Sequence, residues 1–98
     1  MARVIWDPVA LDDLEGIAQY IERDSPVAAR RLVQRIFERV ERLQRYPLSG
    51  GYIDEDDRQI YRQLIQGNYR VIYRVAEDAI FIAAVYHAAR LLPADRIP

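Results

Sequence analysis

At 98 residues, with a formal charge of −1 and a pI of about 5.8, the chain is expected to form one domain that buries an ordinary core without staples. It has no cysteine, which excludes a disulfide framework, a thiolate nucleophile and a cysteine-based zinc site; no apolar run approaches the length needed to span a bilayer, so a cytoplasmic protein with no membrane partner is expected. The near-neutral charge argues against a general nucleic-acid binder, and all 14 basic residues are arginine, whose planar fork suits bidentate contact with carboxylate or phosphate.

Residues 2–6, ARVIW, form a short apolar strand that ends at Asp7-Pro8, where Asp caps a helix and Pro occupies its first turn. In that helix Leu11, Leu14, Ile17, Ala18 and Ile21 recur at steps of three and four, leaving Asp12, Asp13, Glu15 and Glu22 outside the apolar face. Ser25-Pro26 repeats the cap-plus-proline signal, so a second, antiparallel helix follows a tight connection. Ala29, Leu32, Val33, Ile36, Phe37, Val40 and Leu43 form its apolar stripe, Arg31, Arg35, Arg39 and Arg42 lie outside it, and Pro47 marks the end. Residues 47–58, PLSGGYIDEDDR, have the composition of a surface loop.

Beyond the loop the hydrophobic period falls to two. Residues 59–66, 68–76 and 79–87 read as three strands, with tight turns at Gly67-Asn68 and Glu77-Asp78 and a tail over 88–98. Two-residue loops fix the register. Ile60, Leu64, Val71, Tyr73, Val75, Ile80, Ile82 and Ala84, with Tyr69 and Tyr86, then face the helices. On the other face Tyr61 stands opposite Arg74 and Ile65 opposite Arg70, Gln63 lies beside Ile72, and His87 is diagonal to Arg70. A slip of one residue in the last strand turns His87 to the core side.

On this register Tyr61, Arg70, Arg74, His87 and Arg90 gather on or beside an open sheet face. Two readings follow. In one, Arg70 holds a phosphate while His87 moves a proton, the requirements for RNA cleavage by a 2′-hydroxyl. In the other, Arg70 and Arg74 pair with carboxylates of the 54–57 loop, and the lone His closes the sheet edge. Arg62 falls among core-side residues with its head reaching outward, a structural role. One His, no Cys and an acidic run without calcium-loop spacing leave no metal site expected, and no Gly-rich phosphate loop or nucleophile elbow is present.

The D-P helix start, AARRL at 28–32, RYPLSGG at 45–51, GNYRVIYRV at 67–75 and VYHAAR at 85–90 together resemble the RelE/ParE superfamily of bacterial toxins from type II toxin–antitoxin modules, over nearly the whole chain. The resemblance implies an α+β fold, β-α-α-β-β-β, with the helix hairpin packed on one face of a mainly antiparallel sheet. In the RelE branch, ribosome-dependent mRNA endoribonucleases, Arg70 and His87 match basic and terminal positions of the open face. However, lysine is absent, Ala88 stands where some relatives have a catalytic Tyr, and no Glu is placed as general base. The ParE branch, inhibitors of DNA gyrase with no catalysis assigned, is the better match through Tyr-Arg-Val-Ile-Tyr-Arg-Val and the His87-x-x-Arg90 ending. It implies plasmid stabilisation and a cognate antitoxin, commonly of ribbon–helix–helix type, whose disordered acidic tail meets Arg70, Arg74 and Arg90. A non-toxic relic retaining only antitoxin binding is the further alternative.

Overall fold

The computed structural model describes residues 2–98. It contains, in order, β1 (Arg3–Trp6), α1 (Pro8–Glu22), α2 (Pro26–Arg42), β2 (Gly51–Tyr52), β3 (Tyr61–Gln66), β4 (Tyr69–Ala76), β5 (Ala79–His87) and a 3-10 turn over Ala94–Arg96. Both helix starts follow from their caps. Asp7 Oδ1 accepts the Val9 N–H at 2.8 Å and Ser25 Oγ accepts the Ala28 N–H at 3.1 Å, each just ahead of a first-turn proline.

The five strands form one sheet in the order β1-β5-β4-β3-β2, parallel between β1 and β5 and antiparallel elsewhere. Strand β2 is two residues long and adds an element to the expected order. Two-residue turns do close both hairpins, pairing Gln66 with Tyr69 and Ala76 with Ala79. The β3–β4 register places Tyr61 opposite Arg74, Ile65 opposite Arg70 and Gln63 opposite Ile72, as the turn chemistry requires.

The last strand departs from expectation. Tyr73 pairs with Ile82 but Ile72 with Ala84, so Ala83 is the extra residue of a β-bulge. Every side chain beyond it changes face. Val85 joins the helix-side core, Ala84 and Tyr86 move to the opposite side, and His87 lies opposite Tyr69. Ile60 is also displaced: it precedes β3 and is exposed.

The helix hairpin packs on one face of the sheet, where Ala10, Leu14, Ile36, Val40 and Leu43 meet Leu64, Val71, Tyr73, Ile80, Ile82 and Val85. Tyr73 is sealed within this core; its hydroxyl donates to Pro47 O and accepts the Gly50 N–H, both at 2.9 Å. Gly50 has to be glycine here. A Cβ would come within 2.5 Å of Gln63 O and 2.7 Å of the Tyr73 hydroxyl. Arg62 bonds Leu48 O and Gly50 O while its guanidinium lies 4.2 Å over the Tyr52 ring, the structural role expected of it.

The opposite face is not open. Residues 88–98, expected to be a tail, fold back across it, and Leu92 and Ile97 pack with Ile53, Tyr61, Ile72 and Ala84 in a second apolar cluster. Loop 53–58 closes the other side of this strap. No helix among the described residues is long and apolar enough to cross a membrane.

Candidate functional site

Beneath the strap, Arg70 is 5% exposed. Its Nη1 donates to Glu55 Oε1 at 3.1 Å and Gln63 Oε1 at 3.3 Å, and its Nη2 donates to Glu55 Oε2 and to Arg90 O, the latter at 2.6 Å. Leu92 N–H also reaches Glu55 Oε2, at 2.9 Å. The Arg70 guanidinium outweighs burial and holds the Glu55 carboxyl down at about 2, from an ordinary 4.5. One loop carboxylate therefore ties together the central strand and the strap.

Neighbouring contacts have the same character. Burial pushes the Asp56 carboxyl up, but Arg58 Nε at 2.7 Å and the N–H groups of Ile60 and Tyr61, each at 2.9 Å, prevail and hold it at about 2. Arg58 Nη2 reaches Ile97 O at 2.9 Å, and the Tyr61 hydroxyl donates to Pro98 O at 3.4 Å. At the far end Arg96 Nη2 meets Asp13 Oδ2 at 2.5 Å, and the same carboxylate oxygen accepts the Val85 N–H at 3.1 Å. Helix α1, strand β5 and the strap are joined by that single side chain.

The expected cluster of Tyr61, Arg70, Arg74, His87 and Arg90 on one open face does not assemble. Tyr61 and Arg70 are buried under the strap, and Arg74 is half-buried with its guanidinium 4.2 Å over the Phe81 ring. The Ala83 bulge sends His87 to the helix side. Loop carboxylates do claim Arg70, whereas Arg74 finds an aromatic face instead of an acid. His87 and Arg90 alone stay exposed and near each other.

These two residues border a cleft of about 480 Å³, lined on one side by Asp12, Asp13, Gly16, Ile17 and Tyr20 of α1 and on the other by Tyr69, Val85, Tyr86, His87 and Arg90. The His87 ring stands edge-on to Tyr69, with centroids 5.4 Å apart. Its Nδ1 accepts the Ala89 N–H at 3.1 Å, so the neutral ring carries its proton on Nε2, the nitrogen left free for a partner. The Arg90 guanidinium lies 5.7 Å from the Tyr86 ring centroid. Tyrosine and arginine, residue types enriched at the anchors of protein interfaces, border this concavity together with the histidine. Sequence reading passed over Gly16 and Tyr20. The available signal was their spacing of four from Asp12, which puts all three in one row on α1.

A second cleft of about 800 Å³ lies between α2 and β3, lined by Arg39, Arg42 and Arg45 among Glu38, Glu41, Tyr46 and Leu64. Arg39 donates to Ile65 O across it. Its charges are mixed and it holds none of the expected residues.

A family model described as "ParE toxin of type II toxin-antitoxin system, parDE" matches residues 4–92. Toxin RelE2 of Caulobacter vibrioides is 35% identical over 91 residues, covering 93% of this chain and 100% of that protein. The putative toxin Y4kP of Sinorhizobium fredii is 38% identical over 95 residues, covering 93% of each. Among solved structures, one titled "Chromosomal ParDE TA system from P. aeruginosa" superposes with a TM-score of 0.73 at 26% identity, covering 89% of this chain and 96% of that one.

Proposed function

Because the chain belongs to the ParE toxin family of type II toxin–antitoxin systems, we propose that it arrests growth by binding DNA gyrase, without cleaving RNA, and that a cognate antitoxin neutralises it in the cytoplasm. The observation that carries this reading is the separation of Arg70 from His87. Nucleolytic chemistry requires a cation and a proton carrier to converge on one phosphate. Here the bulge puts the two on opposite faces of the sheet, and the Arg70 Nη1 and Nη2 donors are directed to Glu55, Gln63 and the strap backbone. What remains at the surface suits recognition: aromatic rings, a half-free histidine and an exposed arginine around a cleft.

The test measures gyrase supercoiling and ribosome-dependent mRNA cleavage side by side with the purified toxin. Inhibition of supercoiling with intact mRNA is expected. Cleavage that disappears in His87→Ala overturns the proposal in favour of an endoribonuclease using the exposed His87–Arg90 side. Normal growth on induction of the isolated protein overturns it in favour of a non-toxic relic.

A further inference from the structure

Resting on the gyrase reading, we infer that the arginine stripe of α2 binds the phosphate backbone of duplex DNA, so that the toxin meets gyrase while gyrase holds its substrate. The total charge of −1 conceals a sharp division. Residues 26–46, α2 and the turn after it, hold six arginines and two glutamates, a net charge of +4; residues 7–24, α1 and its flanks, hold six carboxylates and one arginine, a net charge of −5. The field of such a molecule turns its α2 side toward a polyanion and its α1 side away.

The fold does not explain the stripe. Arg31, Arg35 and Arg39 follow one another at steps of four, and like charges at that spacing destabilise a helix. Arg39 and Arg42 lie in the last turn, where they complement the helix dipole, but Arg31 and Arg35 lie outside it. Arg39 also has an internal partner, the Ile65 carbonyl on the sheet edge. Arg31, Arg35 and Arg42 are exposed, and no ion pair among the described residues involves α2. Three guanidinium groups therefore stand free along about 16 Å of helix, and Arg45 continues them at the rim of the α2–β3 cleft.

The composition of this face selects its occupant. Between Arg31 and Arg42 its positions are Arg35, Glu38 and Arg39, so it holds no apolar anchor of the kind that centres a protein interface. Nor does it hold an aromatic ring on which unpaired bases could stack. What it offers is a straight row of planar forks, rising about 6 Å per step of four, suited to bidentate contact with phosphate. Such a row holds a protein on the backbone without reading sequence. The cleft beside His87 and Arg90 is lined by α1 and not by α2, so it stays free for gyrase itself.

The experiment titrates a short fluorescent DNA duplex with the full toxin, its Arg31→Gln/Arg35→Gln/Arg42→Gln variant and an Arg23→Gln control, with thermal unfolding, antitoxin binding and gyrase supercoiling measured in parallel. Three to four phosphate contacts give an expected loss of roughly 40- to 150-fold in wild-type affinity between about 50 and 200 mM salt. The triple variant is expected to bind at least about tenfold more weakly at the lower salt, with most of the salt dependence gone, while its Tm stays within about 4 °C of wild type. Arg23→Gln is expected to bind as wild type does. A wild-type toxin that leaves the duplex unbound at low salt, or a triple variant that binds it normally, overturns the proposal, as does equal affinity for RNA or single-stranded DNA. A larger fall in the Tm of the triple variant shows that the fold itself uses these arginines, and loss of antitoxin binding with duplex binding intact assigns the stripe to a protein interface; either overturns it. So does a triple variant that inhibits gyrase as strongly as wild type. Duplex binding through the stripe without any inhibition of supercoiling sinks the gyrase reading, whereas inhibition without duplex binding sinks only the stripe.

Discussion

Replacing Arg70 with methionine removes the guanidinium at roughly constant volume and leaves the Glu55 carboxylate buried with backbone N–H groups, that of Leu92 among them, but no countercharge. The side chains of Arg70 and Glu55 are 7% and 12% exposed, so solvent screens the pair weakly, and breaking one partner of such a pair costs about 3–5 kcal/mol. The Glu55 carboxyl, held down chiefly by Arg70 with help from backbone N–H groups, gives a figure of the same order: a fall from 4.5 to about 2 corresponds to roughly 3 kcal/mol at neutral pH. Because its folded pKa is depressed, this contribution is complete above about pH 4.5 and is lost as the pH falls toward 2; about 2 kcal/mol of it is gone by pH 3. Urea unfolding of wild type, Arg70→Met, Glu55→Gln and the double variant at pH 7 and pH 3 reads these quantities directly. Arg70→Met is expected to cost about 3–5 kcal/mol at pH 7 and markedly less at pH 3, with the double variant recovering much of the loss. A cost below about 1 kcal/mol, or one independent of pH, refutes the buried pair and returns Arg70 to the surface. Loss of toxicity on substituting Arg70 alone is accordingly a folding effect, and the double variant separates it from chemistry.

Tyr73→Phe leaves the Gly50 N–H without its acceptor in the core and is expected to cost about 1–3 kcal/mol in thermal or urea unfolding. Leu92→Ala empties a buried position of the strap, expected to cost about 2–5 kcal/mol. Arg96→Ala releases Asp13, so hydrogen exchange at the Val85 amide is expected to accelerate while exchange at β3 is unchanged.

Much of the fold was legible because its signals are local. Asp7-Pro8, Ser25-Pro26 and Gly67-Asn68 each specify a boundary within a few residues, and the period change after residue 58 separates helix from strand. The far end of β5 was not. IFIAAVYH is apolar at nearly every position, so no alternation marks a face, and alanines at 83 and 84 fit either side of the sheet. The strap was equally silent. Leu92 and Ile97 are separated by Pro93 and a 3-10 turn, so their burial is decided by distant contacts with Ile53 and Tyr61 and not by any repeat in the chain. The loop carboxylates were named as partners for Arg70, and Glu55 fills that role. Burial of Arg70 followed from the strap, which composition alone does not fold.

The bulge at Ala83 also has an evolutionary reading. Deleting that one codon would restore unbroken pairing along the last hairpin and leave His87 opposite Tyr69 on the α1 side, whereas keeping Ala83 and pairing it regularly would turn His87 onto the strap side with Arg70. A chain of the same length that pairs this strand without a bulge would therefore display the same terminal histidine to different surroundings, with the helices and the turns untouched. The presence of a single unpaired residue, and not the identity of the histidine, decides which side of the sheet that histidine serves.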